Sequence, residues 1–218
     1  MARFLDRRGV PSTGQMPGLV EALVVDNVDP EKMGRVKVRY PTLPEAPEST
    51  WARLNMPMAG RNRGWMTIPE KGDEVLVSFM HGDFNHAVVV GSLYNGVDTP
   101  PYANEDGENN LRVFQSRSGH RVTFDDTSGA ERIELVTNNQ EIRVIWDAAG
   151  KVLSVYCGGD IQIEAKEGIA VTTETFSLSA SDSVSIEAGS NIVMKSGSVV
   201  GAVAGSQVRL QAPDVLIN

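Results

Sequence analysis

Of the 218 residues only one is cysteine, Cys157, so no disulfide can close within the chain and nothing points to an oxidising folding compartment. No apolar run approaches the ~20 residues that a membrane-spanning helix needs. Arg3, Arg7 and Arg8 stand near the start with no apolar stretch behind them, so no secretory signal peptide is expected. Synthesis in the cytoplasm is expected instead, with any exit by a route other than secretion. Positive charge is also short: 20 basic residues face 28 acidic ones, net −8, which argues against a partner made mainly of phosphate backbone. Aromatic residues make up only 6%, while small and β-branched residues abound, which favours an all-β class.

What is present is most regular at the end. From Gly159 to Asn218 an eight-residue unit repeats, each with two apolar residues and one small one at alternate positions. The apolar pairs are Ile161 and Ile163, Ile169 and Val171, Phe176 and Leu178, Val184 and Ile186, then Ile192 and Met194. Val200 with Ala202, and Val208 with Leu210, continue the series, and Leu216 opens an unfinished unit. Alternation puts these residues on one face of short strands, with Gln162, Glu164, Ser177, Glu187, Lys195 and Arg209 on the other. Gly, Ser, Asn and Asp fill the joints. The spacing slips to seven only between Ile169 and Phe176. Such strands have one apolar face and units too short to coil around a core of their own. They are therefore expected to find that core in other chains, and the small third position (Ala165, Thr173, Ala180, Ala188, Ser196, Ala204, Ala212) suits a narrow shared axis.

The rest of the chain divides by pattern. Residues 1–16 read as an arm. Between 17 and 98, short strands are expected over Leu19–Asn27, Arg35–Tyr40, Trp51–Met56, Glu74–Met80 and His86–Leu93, a small barrel. Gly60 to Gly64 reads as a polar loop, residues 99–110 as an acidic linker, and 111–158 as a neck of longer, hairpin-like strands that lead into the repeat.

Chemistry-bearing residues are few. His81, Asp83 and His86 lie close enough for a metal site to be imagined, but they read as turn residues. Cys157 ends an apolar run and reads as an inert thiol. Asp125, Asp126 and Glu131 have the residue types of a glycosidase pair, yet they flank the Ser128-Gly129 turn and read as solvated turn acids. Residues 17–98 hold eight basic and eleven acidic residues, which disfavours a nucleic-acid groove. No catalytic residue, metal site or cofactor is expected.

Several pieces carry a family likeness: Gly18-Leu19-Val20-Glu21-Ala22, the Asp29-Pro30 turn before Gly34-Arg35-Val36-Lys37-Val38, Trp51-Ala52-Arg53, Pro69 to Val77, and His81-Gly82-Asp83 followed by Gly91 to Gly96. In this order, with the octads behind them, they resemble the OB-fold domain of phage baseplate assembly protein V and VgrG-type spikes. The resemblance implies an N-terminal OB-fold barrel followed by a triple-stranded, intertwined β-helix made by a homotrimer. It implies a central spike of a contractile injection machine, a phage tail, tailocin or related system, that sits on a baseplate hub and points its needle at the target cell envelope. It further implies assembly into a virion baseplate or injection particle. Departures from larger relatives are expected in the absence of a lytic domain, of a hub before Pro17 and of a histidine tip motif. The missing motif suggests that Leu216, Ile217 and Asn218 carry a separate tip protein of the PAAR-repeat kind. Two other readings compete: a β-helical polysaccharide-degrading enzyme, whose coils run to about twenty residues or more rather than eight, and a trimeric adhesin stalk, which needs a receptor domain and an export signal.

Overall fold

A computed structural model describes Met16, residues 18–209 and Gln211. The chain divides into two units, residues 1–161 and 162–218. Among the described residues the secondary structure is β throughout, apart from one helical turn at Met80–Gly82.

In the first unit, β1 (Leu19–Asp26), β2 (Lys37–Arg39), β3 (Arg53–Leu54), β6 (Glu74–Phe79) and β7 (Ala87–Ser92) form one sheet in the order β2-β1-β6-β7-β3. Its two ends meet where Val36 and Ala52 exchange backbone hydrogen bonds of 3.0 and 2.7 Å, so the sheet closes into a barrel. The β3–β7 pair is parallel and the other ladders are antiparallel. A closed five-stranded ring of this kind is the OB architecture expected from the sequence. Alternation builds the core directly. In β6, Val75, Val77 and Phe79 point inward between half-exposed Glu74, Leu76 and Ser78. They meet Ala22 and Val24 of β1, Val36, Val38 and Tyr40 around β2, Ala52, and Ala87 and Val89 of β7. Tyr40, Phe79 and Phe84 pack as a trio with centroids 5.2–5.8 Å apart.

The turns explain why the marker residues are what they are. Asp29 accepts hydrogen bonds from the backbone N–H groups of Glu31, Met33 and Arg35 and from the Arg35 guanidinium at 2.8–2.9 Å. That guanidinium, with the three backbone donors, holds the Asp29 carboxyl well below the usual carboxylate range. Gly72, at φ +100°, turns the chain into β6 and donates its N–H to Val24. Met16, read in the sequence as the end of an arm, is instead buried and donates its N–H to the Gly82 carbonyl at 2.7 Å.

Gly60 to Gly64 also departs from the expected loop. Here β4 (Ala59–Gly60) and β5 (Arg63–Gly64) form a small hairpin over Arg61-Asn62. Asn62 adopts φ +54°, and a Cβ on Gly64 would lie 2.8 Å from the Met58 carbonyl oxygen. A stretch of Gly, Arg and Asn shows no alternation, which is why the sequence pattern misses the hairpin.

Beyond residues 97–110 the chain folds as a five-stranded antiparallel meander, β8 (Leu111–Gln115), β9 (Arg121–Asp125), β10 (Arg132–Val136), β11 (Ile142–Asp147) and β12 (Val152–Cys157), in simple sequence order. All five lie within residues 111–158, which the sequence reads as hairpin-like strands.

The second unit is taken by itself. No strand forms among its described residues, and their side chains are exposed. The physical reason is that a strand exists only in a ladder, and the octads find no partner within their own chain.

Candidate functional site

In an antiparallel ladder, directly opposed residues share a face, so the registers of β8–β12 assign every side chain. One face carries Phe114, Val122, Phe124, Ile133, Leu135, Ile142, Val144, Trp146, Leu153, Val155 and Cys157, with Arg112 as its one charge. The other carries Arg121, Thr123, Asp125, Arg132, Glu134, Arg143 and Asp147 among a few apolar residues. Their burial is inverted relative to a folded monomer. Thr123, Asp125 and Val136 on the charged face are buried, while Phe124, Leu135, Trp146 and Leu153 on the apolar face are 45–61% exposed. A continuous apolar sheet face in water is the mark of an interaction surface.

The charged face is internally satisfied at its centre. Asp125 accepts the Thr127 hydroxyl at 2.6 Å and the Thr127 N–H at 3.0 Å, and pairs with Arg132 at 3.2 Å. Its carboxyl is lowered chiefly by the Thr127 hydroxyl, against the opposing effect of burial. Arg132 also reaches Glu134 at 2.8 Å, and the Arg143 guanidinium lies 4.7 Å from the Tyr156 ring centroid. The carboxylates that matched a glycosidase pair by type are thus committed to local structure. Asp125 closes a turn, Asp126 pairs with Arg112 at 3.1 Å, and Glu131 accepts the Gly129 N–H at 3.1 Å.

Both edges of this sheet are open. The backbone bonds from Asp126 N to Asn110 O and from Ser116 N to His120 O fix the phase of the β8–β9 ladder. They leave the polar backbone groups of Leu111, Val113 and Gln115 directed away from β9. At the other edge, the bond from Gly158 N to Glu141 O leaves those of Leu153, Val155 and Cys157 directed away from β11. Neither β8 nor β12 contains proline or lysine, the usual devices that keep an edge from pairing.

The residues assigned from the sequence to a shared core are exposed in the isolated chain wherever they are described. Ile161, Ile163, Ile169, Val171, Phe176, Leu178, Val184, Ile186, Ile192, Met194, Val200 and Val208 are 50–73% exposed. Leu210 and the tip residues Leu216, Ile217 and Asn218 lie outside the described residues. The uncovered neck face escaped the sequence reading, although its alternation over residues 111–157 carried the signal. His86 Nδ1 lies 2.8 Å from Asp83 Oδ2, and His81 occupies the turn at φ +54°. Among the described residues no group of three or more His, Cys, Asp or Glu side chains is placed to hold a metal ion. Cys157 is half-buried, with Sγ 3.4 Å from the Asp160 carbonyl oxygen.

Comparison with known families now bears on the barrel. Residues 20–94, which span β1 to the segment just after β7, match the family described as the type VI secretion system/phage-baseplate injector OB domain. The match takes in the barrel alone. Among curated proteins, the chain is similar to the type VI secretion system spike protein VgrG3 of Vibrio cholerae, 32% identical over 126 residues, covering 54% of this chain and 12% of that protein. It is also similar to the spike protein VgrG1a of Pseudomonas aeruginosa, 30% identical over 161 residues, covering 67% of this chain and 25% of the relative. A third spike protein, VgrG1b of Pseudomonas aeruginosa, is 32% identical over 127 residues, 52% of this chain and 17% of its own length. The chain therefore spans a quarter or less of the curated relatives described here. The injector OB domain and its VgrG-type relatives support a role in a type VI secretion or phage baseplate spike.

Proposed function

We propose that this chain is the structural central spike of a contractile injection machine and works as a homotrimer. Three copies turn the apolar faces of their necks toward a common axis, and their octads wind into a triple-stranded β-helix with Ile161 to Leu210 as its inner residues. The barrels sit on a baseplate hub, the needle is driven mechanically through the target envelope, and Leu216, Ile217 and Asn218 carry a tip protein of the PAAR-repeat kind. The division into an arm (1–16), barrel (17–98), linker (99–110), neck (111–158) and needle (159–218) belongs to this proposal. So does a role without catalysis.

The observation that carries the reading is the inverted neck sheet. Eight large apolar side chains of that face are each 39–61% exposed in the single chain. Covering them is worth ~1 kcal/mol apiece, or on the order of 20 kcal/mol gross for three chains, before the entropic cost of association. Two-faced sheets of this kind close well around a three-fold axis, where each apolar face meets two others. The open β12 edge supports the handover into the needle, because it offers backbone donors and acceptors to a strand of another copy. Interwinding also suits mechanical work. A needle pushed through a membrane needs a slow unfolding rate, and none of three interwound chains can peel away alone.

Mass in solution tests the reading directly. Light scattering on the purified chain is expected to give three times the monomer mass at micromolar concentration. A stable, folded monomer under those conditions would sink the proposal.

A further inference from the structure

The β4–β5 hairpin is exposed along its length, yet it is shaped rather than loose. The Trp65 N–H donates to the Met58 carbonyl at 2.9 Å, and Gly64 is required because a Cβ would strike that same oxygen. Its surface is unusual for a chain of net charge −8. Met58, Trp65 and Met66 are 54–76% exposed, and a groove of about 700 Å³ runs beneath them, rimmed by Lys32, Arg53 and Arg63. From Trp51 to Pro69 the sequence has three arginines and no acid. Residues 97–110 are the reverse, with Asp98, Glu105, Asp106 and Glu108 and no base. Among the described residues, neither these arginines nor these four acids take part in an ion pair.

Both features adjoin β8. Trp65 stands edge-on to Phe114, with centroids 6.2 Å apart and planes at 86°, and Phe114 lies on the uncovered neck face. The acidic segment ends at Asn110, which is bonded to Asp126 beside the start of β8. An axis facing the neck sheets would therefore bring the hairpin of one copy and the acidic segment of the next to the same height.

We propose that the β4–β5 hairpin is an arm that crosses to the neighbouring copy, with Arg61 and Arg63 against that copy's Glu105, Asp106 and Glu108. Met58, Trp65 and Met66 extend the apolar contact of the neck up to the barrel. This rests on the trimeric reading above. Methionine fits such a place, since its flexible thioether side chain fills an irregular contact between two separately folded surfaces. The charges set partner and rotation: around a three-fold axis, opposite patches on each chain meet head to tail and close the ring.

The test is a charge swap on the full chain. The double variant Arg61→Glu/Arg63→Glu is compared with Glu105→Arg/Asp106→Arg and with all four changes together, by light scattering and by thermal melting in low and high salt. All four sites are exposed, and far-UV circular dichroism checks that the barrel stays folded. Each pair alone is expected to lower the low-salt Tm of the trimer by roughly 4 °C or more, the combination to restore most of the loss, and high salt to erase the differences. Trimers whose Tm ignores every swap overturn the hairpin arm and leave the trimer standing. Swaps that spare the trimer but abolish its co-purification with a hub protein would also overturn it, by giving the hairpin to a different partner. A monomeric wild type instead removes the reading on which the arm rests.

Discussion

Replacing Ile133 with aspartate separates the fold of one chain from the assembly of three. Ile133 sits at the centre of the apolar neck face, opposite Phe124 on one side and Trp146 on the other, and is 39% exposed in the single chain. A carboxylate there keeps contact with water in a monomer, so the chain's own fold loses little. In the proposed trimer the same site would lie among the apolar faces of three chains. Each copy then forfeits ~1 kcal/mol of apolar burial and buries an unpaired charge at an effective cost of several kcal/mol. Three copies bring the total to on the order of 10 kcal/mol, which is about seven decades in the association constant at 1.4 kcal/mol per decade. Analytical ultracentrifugation of Ile133→Asp is expected to show folded or partly folded monomers where wild type shows trimers. Acidification should favour reassembly, because the protonated carboxyl costs less to bury than the ion. A trimer of wild-type stability carrying Ile133→Asp at pH 7 would show that the neck faces do not meet, and the reasoning from the inverted sheet would fail with it.

Three further outcomes are expected. Ile186→Asp or Ile163→Asp should abolish assembly of the needle for the same reason, whereas Glu187→Ala, on the opposite side of its strand, should leave mass and melting unchanged; equal behaviour of Ile186→Asp and Glu187→Ala would show the inward set to be misread. Burial pushes the Tyr40 phenol up to about 12. The unfolded chain ionises this group near 10, so its contribution is intact below ~pH 10 and is lost as pH rises toward 12, on the order of 2–3 kcal/mol in all. The Tyr40 hydroxyl has no hydrogen-bond partner among the described residues, so Tyr40→Phe should match wild type at pH 7 within ~1 kcal/mol and surpass it at pH 11 in urea melts. Cys157 lies on the apolar neck face opposite Ile142. A thiol reagent should label it slowly in the native assembly and rapidly in denaturant, and fast native labelling would place that face in water.

Legibility in the sequence followed periodicity. β6 places Val75, Val77 and Phe79 at every second position, so its bounds are readable to within a residue. The Asp29 to Arg35 turn was readable as a turn, because Pro30 and Gly34 punctuate it, though not as the five-bond carboxylate clamp that it is. Barrel closure through Val36 and Ala52 depends on two residues 16 positions apart, which no local pattern encodes. Repetition points to a shared core only beyond Gly159. A second uncovered surface begins at Phe114, where apolar residues again recur at alternate positions but each strand is different. What a single chain's sequence cannot specify is which face is left without a lid, since both faces of the neck contain apolar residues and only the register sorts them.

The open edge of β12 has a consequence for how the molecule comes into being. A strand can be added there only when another chain's strand is already in place, and each added octad exposes a new edge for the next. In the proposed trimer, growth of this kind would be one-dimensional: a slow meeting of three chains at the neck, then a rapid zipping toward the tip in which every unit copies its register from the one before. Errors would then be polar. Loss of the last octads should shorten the product, whereas a fault at Gly158 or in β12 leaves every later unit without a template. Until that first meeting, each newly made chain carries unguarded edges able to pair with any passing strand, so its yield should depend on how quickly like finds like.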